Sequence, residues 1–174
     1  NNLSYVSKQL VAIEESMEAV AKLMSEGKIR AAGVSNYTVE QLEKVCSVID
    51  IVSDQVPYSM VKRDIEDNVV PYCINNKISI LAYSPLGRGL LTGKITSDYK
   101  FNPGDNRPKS PYFTGHNLNE INKFLDSIKH IAEERKISLA QLVINWTIQQ
   151  PGITSVLVGF RNPEQVQENV KAID

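Results

Sequence analysis

The feature that most constrains this chain is a repeated switch of hydrophobic period. Short apolar runs at 28–35, 51–58, 78–84 and 153–160 are bounded by Gly, Pro, Ser or Asn and read as strands. Between them, apolar residues recur every three or four positions, as Met17, Val20, Ala21 and Met24 do, with Gly27 as the stop. Thr38 with Gln41, Asn117 with Glu120, and Ser138 with Gln141 have the spacing of capping boxes. They predict helices over 39–49, 118–136 and 139–150. Asn162, Pro163 and Gln165 open a last helix. The stretch 64–77 is predicted helical too, with Pro71 marking a kink or a late start. Strand–helix alternation of this kind builds parallel strands joined by helical crossovers, an α/β fold.

Composition narrows the partners. The 174 residues suit a single domain, 1–174, and 42% hydrophobic with 22% charged content is that of a globular protein. A net charge of -1 and a pI of about 6.2 give no basic field for nucleic acid. No apolar run approaches the roughly 20 residues of a membrane span. Cys46 and Cys73 lack metal-ligand spacing and read as reduced thiols of a cytoplasmic protein, and no metal is expected. Residues 87–116 are rich in Gly, Pro, Ser, Thr and Asn without apolar period, which predicts a long loop or lid. The structure of 1–10 is not legible.

Each strand run ends in polar or aromatic residues: Ser35 and Asn36; Asp54 and Gln55; Tyr83 and Ser84; Gly159, Phe160 and Arg161. Ligands of parallel α/β folds bind at the carboxyl ends of the strands. Amides, hydroxyls, an aromatic ring and cations together suit a nicotinamide nucleotide: amides for the carboxamide, Tyr for the ring, cations for phosphate. Polar strand ends are equally the default of any such fold, so both readings stand at this level.

The segments GKIRAAGVSNYTVEQL, SDQVPYSMV, AYSPLGRGLLTGK, FNPGDNRPKSPYF and VLVGFRNPEQVQENVKAI, in that order and at those intervals, resemble the aldo-keto reductase family from about Val11 to the C-terminus. The resemblance implies that Ser35, Asn36 and Gln55 hold the nicotinamide carboxamide and that Tyr83 stacks on its ring. Ser84, Leu86 and Arg88 would follow the pyrophosphate, with Lys94 a cation further along. Asp105 and Arg107 lie in a lid-like stretch that closes on the cofactor in related members, or pair with each other. Arg161, Gln165, Glu168 and Asn169 match the adenosine end, Arg161 near the 2′-phosphate. NADP is the implied coenzyme; Gln165, where some branches carry Arg, leaves NAD open. Trp146 reads as core, and Asp54 as a structural hydrogen-bonder.

The family resembled uses an eight-stranded (β/α) barrel and reduces carbonyls by hydride transfer, with Tyr as proton donor beside Lys, Asp and His on the first four strands. This chain matches the second half, so a half-barrel is expected. No catalytic residue is assigned: His116 is expected in the loop, His130 in a helix, and Tyr5 and Lys8 on no identifiable strand. Four strands do not close a barrel. The apolar face expected to remain would be covered by the long loop or the N-terminal segment folding across it, by a second copy in a homodimer, or by a complementary N-terminal half. The expectation is a nucleotide-binding half of an oxidoreductase, silent alone. The alternative is a non-enzymatic, self-associating interaction or regulatory module.

Overall fold

A computed structural model describes residues 11–173, and the segment 1–10, with Tyr5 and Lys8, lies outside them. Helices α1 (Ile13–Ser25), α2 (Val39–Cys46), α3 (Val69–Asn75), α4 (Gly115–Glu134), α5 (Leu139–Ile148) and α6 (Pro163–Val170) alternate with strands β1 (Gly33–Ser35), β2 (Ser53–Pro57), β3 (Ser79–Tyr83) and β4 (Ile153–Leu157). The strand order is β1-β2-β3-β4, an α/β fold of parallel strands, with Gly33, Val34 and Ser35 of β1 opposite Ser53, Asp54 and Gln55 of β2.

Local chemistry explains most boundaries. Thr38 Oγ1 accepts from the Gln41 N–H at 3.3 Å, and Gln41 Oε1 accepts from the Thr38 N–H at 2.9 Å. Ser138 and Gln141 repeat that exchange at 3.2 and 2.8 Å. Each box satisfies amides that the first helical turn leaves open. α3 starts late: Asn68 caps it by accepting from the Val69 N–H, and Pro71 falls in the first turn, where its missing N–H removes no helical bond. Residues 64–68 are therefore outside the helix. α4 departs from its predicted cap. It begins at Gly115, so His116 is helical, and Asn117 Nδ2 donates to the Pro111 carbonyl at 3.2 Å instead. Burial of Phe113 and Leu118 on either side of that start sets it earlier than a capping motif alone indicates.

The chain divides into two compact units: residues up to Val56 with Asp64–Leu81, and Pro57–Arg63 with the residues from Ala82 on. In the first, α1 packs on α2, and Leu42, Val45, Ile51, Val56, Val70, Cys73 and Ile80 are buried. In the second, the core is Leu90, Leu91, Ile95, Phe113, Leu118, Ile121, Leu125 and Val143. Each fully buried aliphatic chain of this kind contributes about 1.5–3 kcal/mol. Four of these eight come from 87–116. That segment is built of 3-10 turns at Gly87–Thr92, Arg107–Lys109 and Pro111–Phe113, whose irregular spacing carries no helical or strand period. Among the described residues, no helix is long and apolar enough to cross a membrane.

Candidate functional site

β3 delivers Tyr83 and Ser84 to the wall of a groove of about 790 Å³ in the second unit. The backbone then turns sharply. Gly87 N–H donates to the Ser84 carbonyl at 2.9 Å, and Ser84 (φ 56°) and Arg88 (φ 61°) both take left-handed conformations without being glycine. Such positions cost about 1–2 kcal/mol each and persist where packing holds them. Here Leu90 and Leu91, 1% and 0% exposed, anchor the turn from below. The segment thereby presents Leu86, Arg88 and Lys94 to the groove.

The facing wall comes from the end of β4 and from α6: Leu157 through Arg161, then Gln165, Glu168 and Asn169. Asn162 Oδ1 accepts from the Gln165 N–H at 3.0 Å. The predicted box closes one residue early, because Gln165 Oε1 accepts from the Arg161 N–H at 2.7 Å. α5 secures α6 from behind, through Gln141 Nε2 to the Glu168 carbonyl at 2.8 Å and Asn145 Nδ2 to the Ala172 carbonyl at 2.7 Å. Gln141 thus serves its own helix cap and the groove wall together. Sequence reasoning missed this, since the two partners are 27 residues apart.

Ten of the thirteen residues singled out from the sequence line this groove: Tyr83, Ser84, Leu86, Arg88, Lys94, Arg107, Arg161, Gln165, Glu168 and Asn169. The cations Arg88, Lys94 and Arg161 suit a polyanion. Arg107 is differently engaged. Its Nε and Nη2 donate to Asp105 at 2.6–3.1 Å, its Nη1 donates to the Arg88 carbonyl at 3.2 Å, and its guanidinium lies 5.1 Å from the Phe101 ring centre. It is a clasp that ties 99–107 to the Arg88 turn. Those hydrogen bonds from Arg107 hold the Asp105 carboxyl down at about 2. A depressed acid stabilises the fold above its unfolded value of 3.8, and the contribution is lost as pH falls through about 2. Arg107→Lys, which loses the fork geometry, is expected to speed limited proteolysis between Tyr99 and Lys109 severalfold at pH 7, while wild type stays protected down to about pH 3. Equal cleavage rates in the two proteins would discount the clasp.

The remaining three, Ser35, Asn36 and Gln55, gather in the first unit where β1 and β2 end. Ser35 Oγ donates to the Gln55 carbonyl at 2.8 Å, the Asn36 N–H donates to the same carbonyl at 2.9 Å, and Asn36 Nδ2 donates to Ser35 Oγ at 3.2 Å. Asn36 takes φ 61°, a conformation Asn tolerates better than most residues. Beside them Asp54 is 0% exposed, and neither carboxylate oxygen has a hydrogen bond among the described residues. Only the backbone N–H groups of Tyr37 and Asn36 approach it, outside good hydrogen-bond geometry, so its expected role as a structural hydrogen-bonder is at most weakly filled. Burial raises its pKa to about 6, and the backbone N–H groups of Tyr37 and Asn36 offset only part of that. Trp146 lies against Tyr58, ring centres 5.9 Å apart, with Arg63 over its face at 5.4 Å, as a packing role requires. Phe160, Leu157 and Tyr99 also line the groove. Of these, sequence reasoning noted only Phe160, as a strand-end residue.

A sequence model of the Aldo/keto reductase family matches residues 4–174. The aldo-keto reductase YhdN of Bacillus subtilis is 38% identical over 91% of this chain and 48% of its own length. The NADH-specific methylglyoxal reductase of Escherichia coli is 33% identical over 93% and 49%. The solved glycerol dehydrogenase AKR11B4 of Gluconobacter oxydans superposes with a TM-score of 0.89 at 34% identity, over 95% of this chain and 50% of that one. The chain spans about half the length of the relatives it matches.

Proposed function

The chain belongs to the Aldo/keto reductase family, and from that premise we propose that its groove binds NADP(H) in the service of carbonyl reduction by hydride transfer, or the reverse alcohol oxidation. The observation that carries the reading is the collection of cations, hydroxyl and amide groups along one groove, in chain order from Tyr83 to Asn169. The nicotinamide, when bound, supplies the hydride. Ser84 and the Arg88 turn lie along the pyrophosphate, with Lys94 as a further cation. Arg161, exposed at the foot of α6, pairs with a 2′-phosphate. Tyr83 offers its ring to the nicotinamide. In the first unit, Ser35, Asn36 and Gln55 are the proposed carboxamide contacts. Hydride addition leaves an alkoxide that needs a proton donor; none is assigned among these residues, and the reading has the chain catalytically silent by itself.

NADPH fluorescence titrated against the 174-residue chain tests the reading. Saturable enhancement is expected, weakened by Tyr83→Ala. Arg161→Gln should weaken NADPH about tenfold and NADH little, since a charged hydrogen bond to phosphate is worth about 1.5–3 kcal/mol. Equal losses for both coenzymes would put Arg161 on a group they share and remove the 2′-phosphate contact, and tighter wild-type binding of NADH than of NADPH would point to NAD(H), the coenzyme for which the Escherichia coli relative is specific. Fluorescence unchanged with protein in large excess overturns nucleotide binding. A second reading, a self-associating module without enzymatic role, is favoured by the exposure of Leu157, Phe160, Val170 and Ile173. Light scattering discriminates it: a monomer at all concentrations removes it.

A further inference from the structure

The groove holds one large aromatic side chain whose position its own packing does not explain. Phe160 is 63% exposed and makes no ring or cation contact among the described residues. It nevertheless lines the groove, between Leu157 and Arg161. Tyr99, also on the wall, is already occupied: its ring meets Phe101 edge-on at 4.8 Å and lies beneath Arg107 at 5.8 Å.

The turn that presents Phe160 is held. The next residue, Arg161, donates its N–H to Gln165 Oε1, and the Gln165 N–H is bonded to Asn162 Oδ1. The following turns of α6 are fixed to α5 through the Glu168 carbonyl. With its amide oxygen committed to that cap, Gln165 offers neither ring nor charge to a ligand. Recognition of a flat aromatic group at this end of the groove therefore falls to Phe160. The Glu168 carboxylate and the Asn169 amide line the same end, an acceptor and a donor–acceptor suited to the edge of a base bearing an exocyclic amine.

We propose that Phe160 is the stacking platform for the adenine ring of the bound nucleotide, with Arg161 beside it facing the ribose phosphate. This rests on the reading of the groove as a nucleotide site. The hydrogen-bonded turn fixes the backbone beside Phe160, so stacking has only its side-chain torsions left to order. Stacking also removes from water a phenyl face that is otherwise exposed.

Calorimetric titration with three probes separates the claims: NADPH, adenosine 2′,5′-bisphosphate, and nicotinamide mononucleotide. Phe160→Ala is expected to weaken the first two by the same factor, about tenfold, the range of a lost base–aromatic stack, and to leave the third unchanged. Phe160→Tyr should retain wild-type affinity. Phe160→Leu, which keeps apolar bulk without a ring, should weaken binding as Ala does. Wild-type affinity in the Ala or Leu variant overturns stacking while leaving the nucleotide reading intact. A wild-type chain that binds none of the probes overturns both. Light scattering on the same samples covers the remaining occupant: a dimer that dissociates on Phe160→Ala assigns the phenyl to a second copy of this chain and overturns the proposal.

Discussion

Leu91→Ala is expected to lower the unfolding free energy by about 3 kcal/mol, the middle of the range for emptying a tightly packed aliphatic site. Leu91 is 0% exposed and belongs to the second unit's core with Leu90, Ile95 and Phe113. It sits in the 3-10 segment Gly87–Thr92, two residues after the left-handed pair Arg88 and Gly89. Removing its side chain leaves a cavity and also takes away the anchor that holds the left-handed Arg88. Leu91→Met, which conserves volume, should cost under about 1.5 kcal/mol. Urea unfolding of the three proteins measures both values. If Leu91→Ala costs less than about 1 kcal/mol, the segment is not a core element and the groove wall has some other support.

Asp54→Asn is expected to do the opposite and stabilise the protein at neutral pH by up to about 2 kcal/mol. Asp54 occupies the same face of β2 as buried Val56, opposite Val34 of β1, and its carboxylate meets only the backbone N–H groups of Tyr37 and Asn36, outside good hydrogen-bond geometry. Its pKa rises from 3.8 to about 6, chiefly through burial. Between those values the folded state binds the proton more tightly than the unfolded chain. Stability therefore falls as pH rises from about 4 to about 6, then levels off. A shift of about 2 units corresponds to about 3 kcal/mol at roughly 1.36 kcal/mol per unit. Asn removes the charge but remains a buried amide, and that residual cost of about 1–3 kcal/mol trims the gain. Cys73, pushed up to about 11 by burial, then by Asp54 and Cys46, stays protonated across this window and adds no slope. Thermal unfolding from pH 4.5 to 7.5 (a span chosen around the value of about 6) should show a slope in wild type that Asp54→Asn abolishes. Loss of stability in the variant at pH 7 would mean that the carboxylate is a bonded anchor, as the sequence reading first had it.

The elements that were legible are those whose cause is local. Thr38 with Gln41 and Ser138 with Gln141 close their boxes within four residues, so composition at fixed spacing is sufficient. The α4 start was not, because it depends on Phe113 and Leu118 being buried together and the motif at Asn117 competes with a bond to Pro111. The segment 87–116 was opaque for a different reason. A 3-10 turn buries residues at intervals that match neither helix nor strand, so Leu90, Leu91, Ile95 and Phe113 carry no periodic signal. Asp54 was visible as a polar strand residue, but alternation alone does not say which face is dry.

By itself, then, the sequence determined the order of elements, the parallel class, the family, and which side chains stand near the strand ends, because hydrophobic period, caps and motif spacing act over a few residues. Only the tertiary structure decided which of those side chains share a groove, that Arg107 is clasped by Asp105, that Gln165 caps Arg161, and that Asp54 lies in the dry interior. Those outcomes depend on contacts between residues distant along the chain and on exclusion of water, and neither is encoded at any single position.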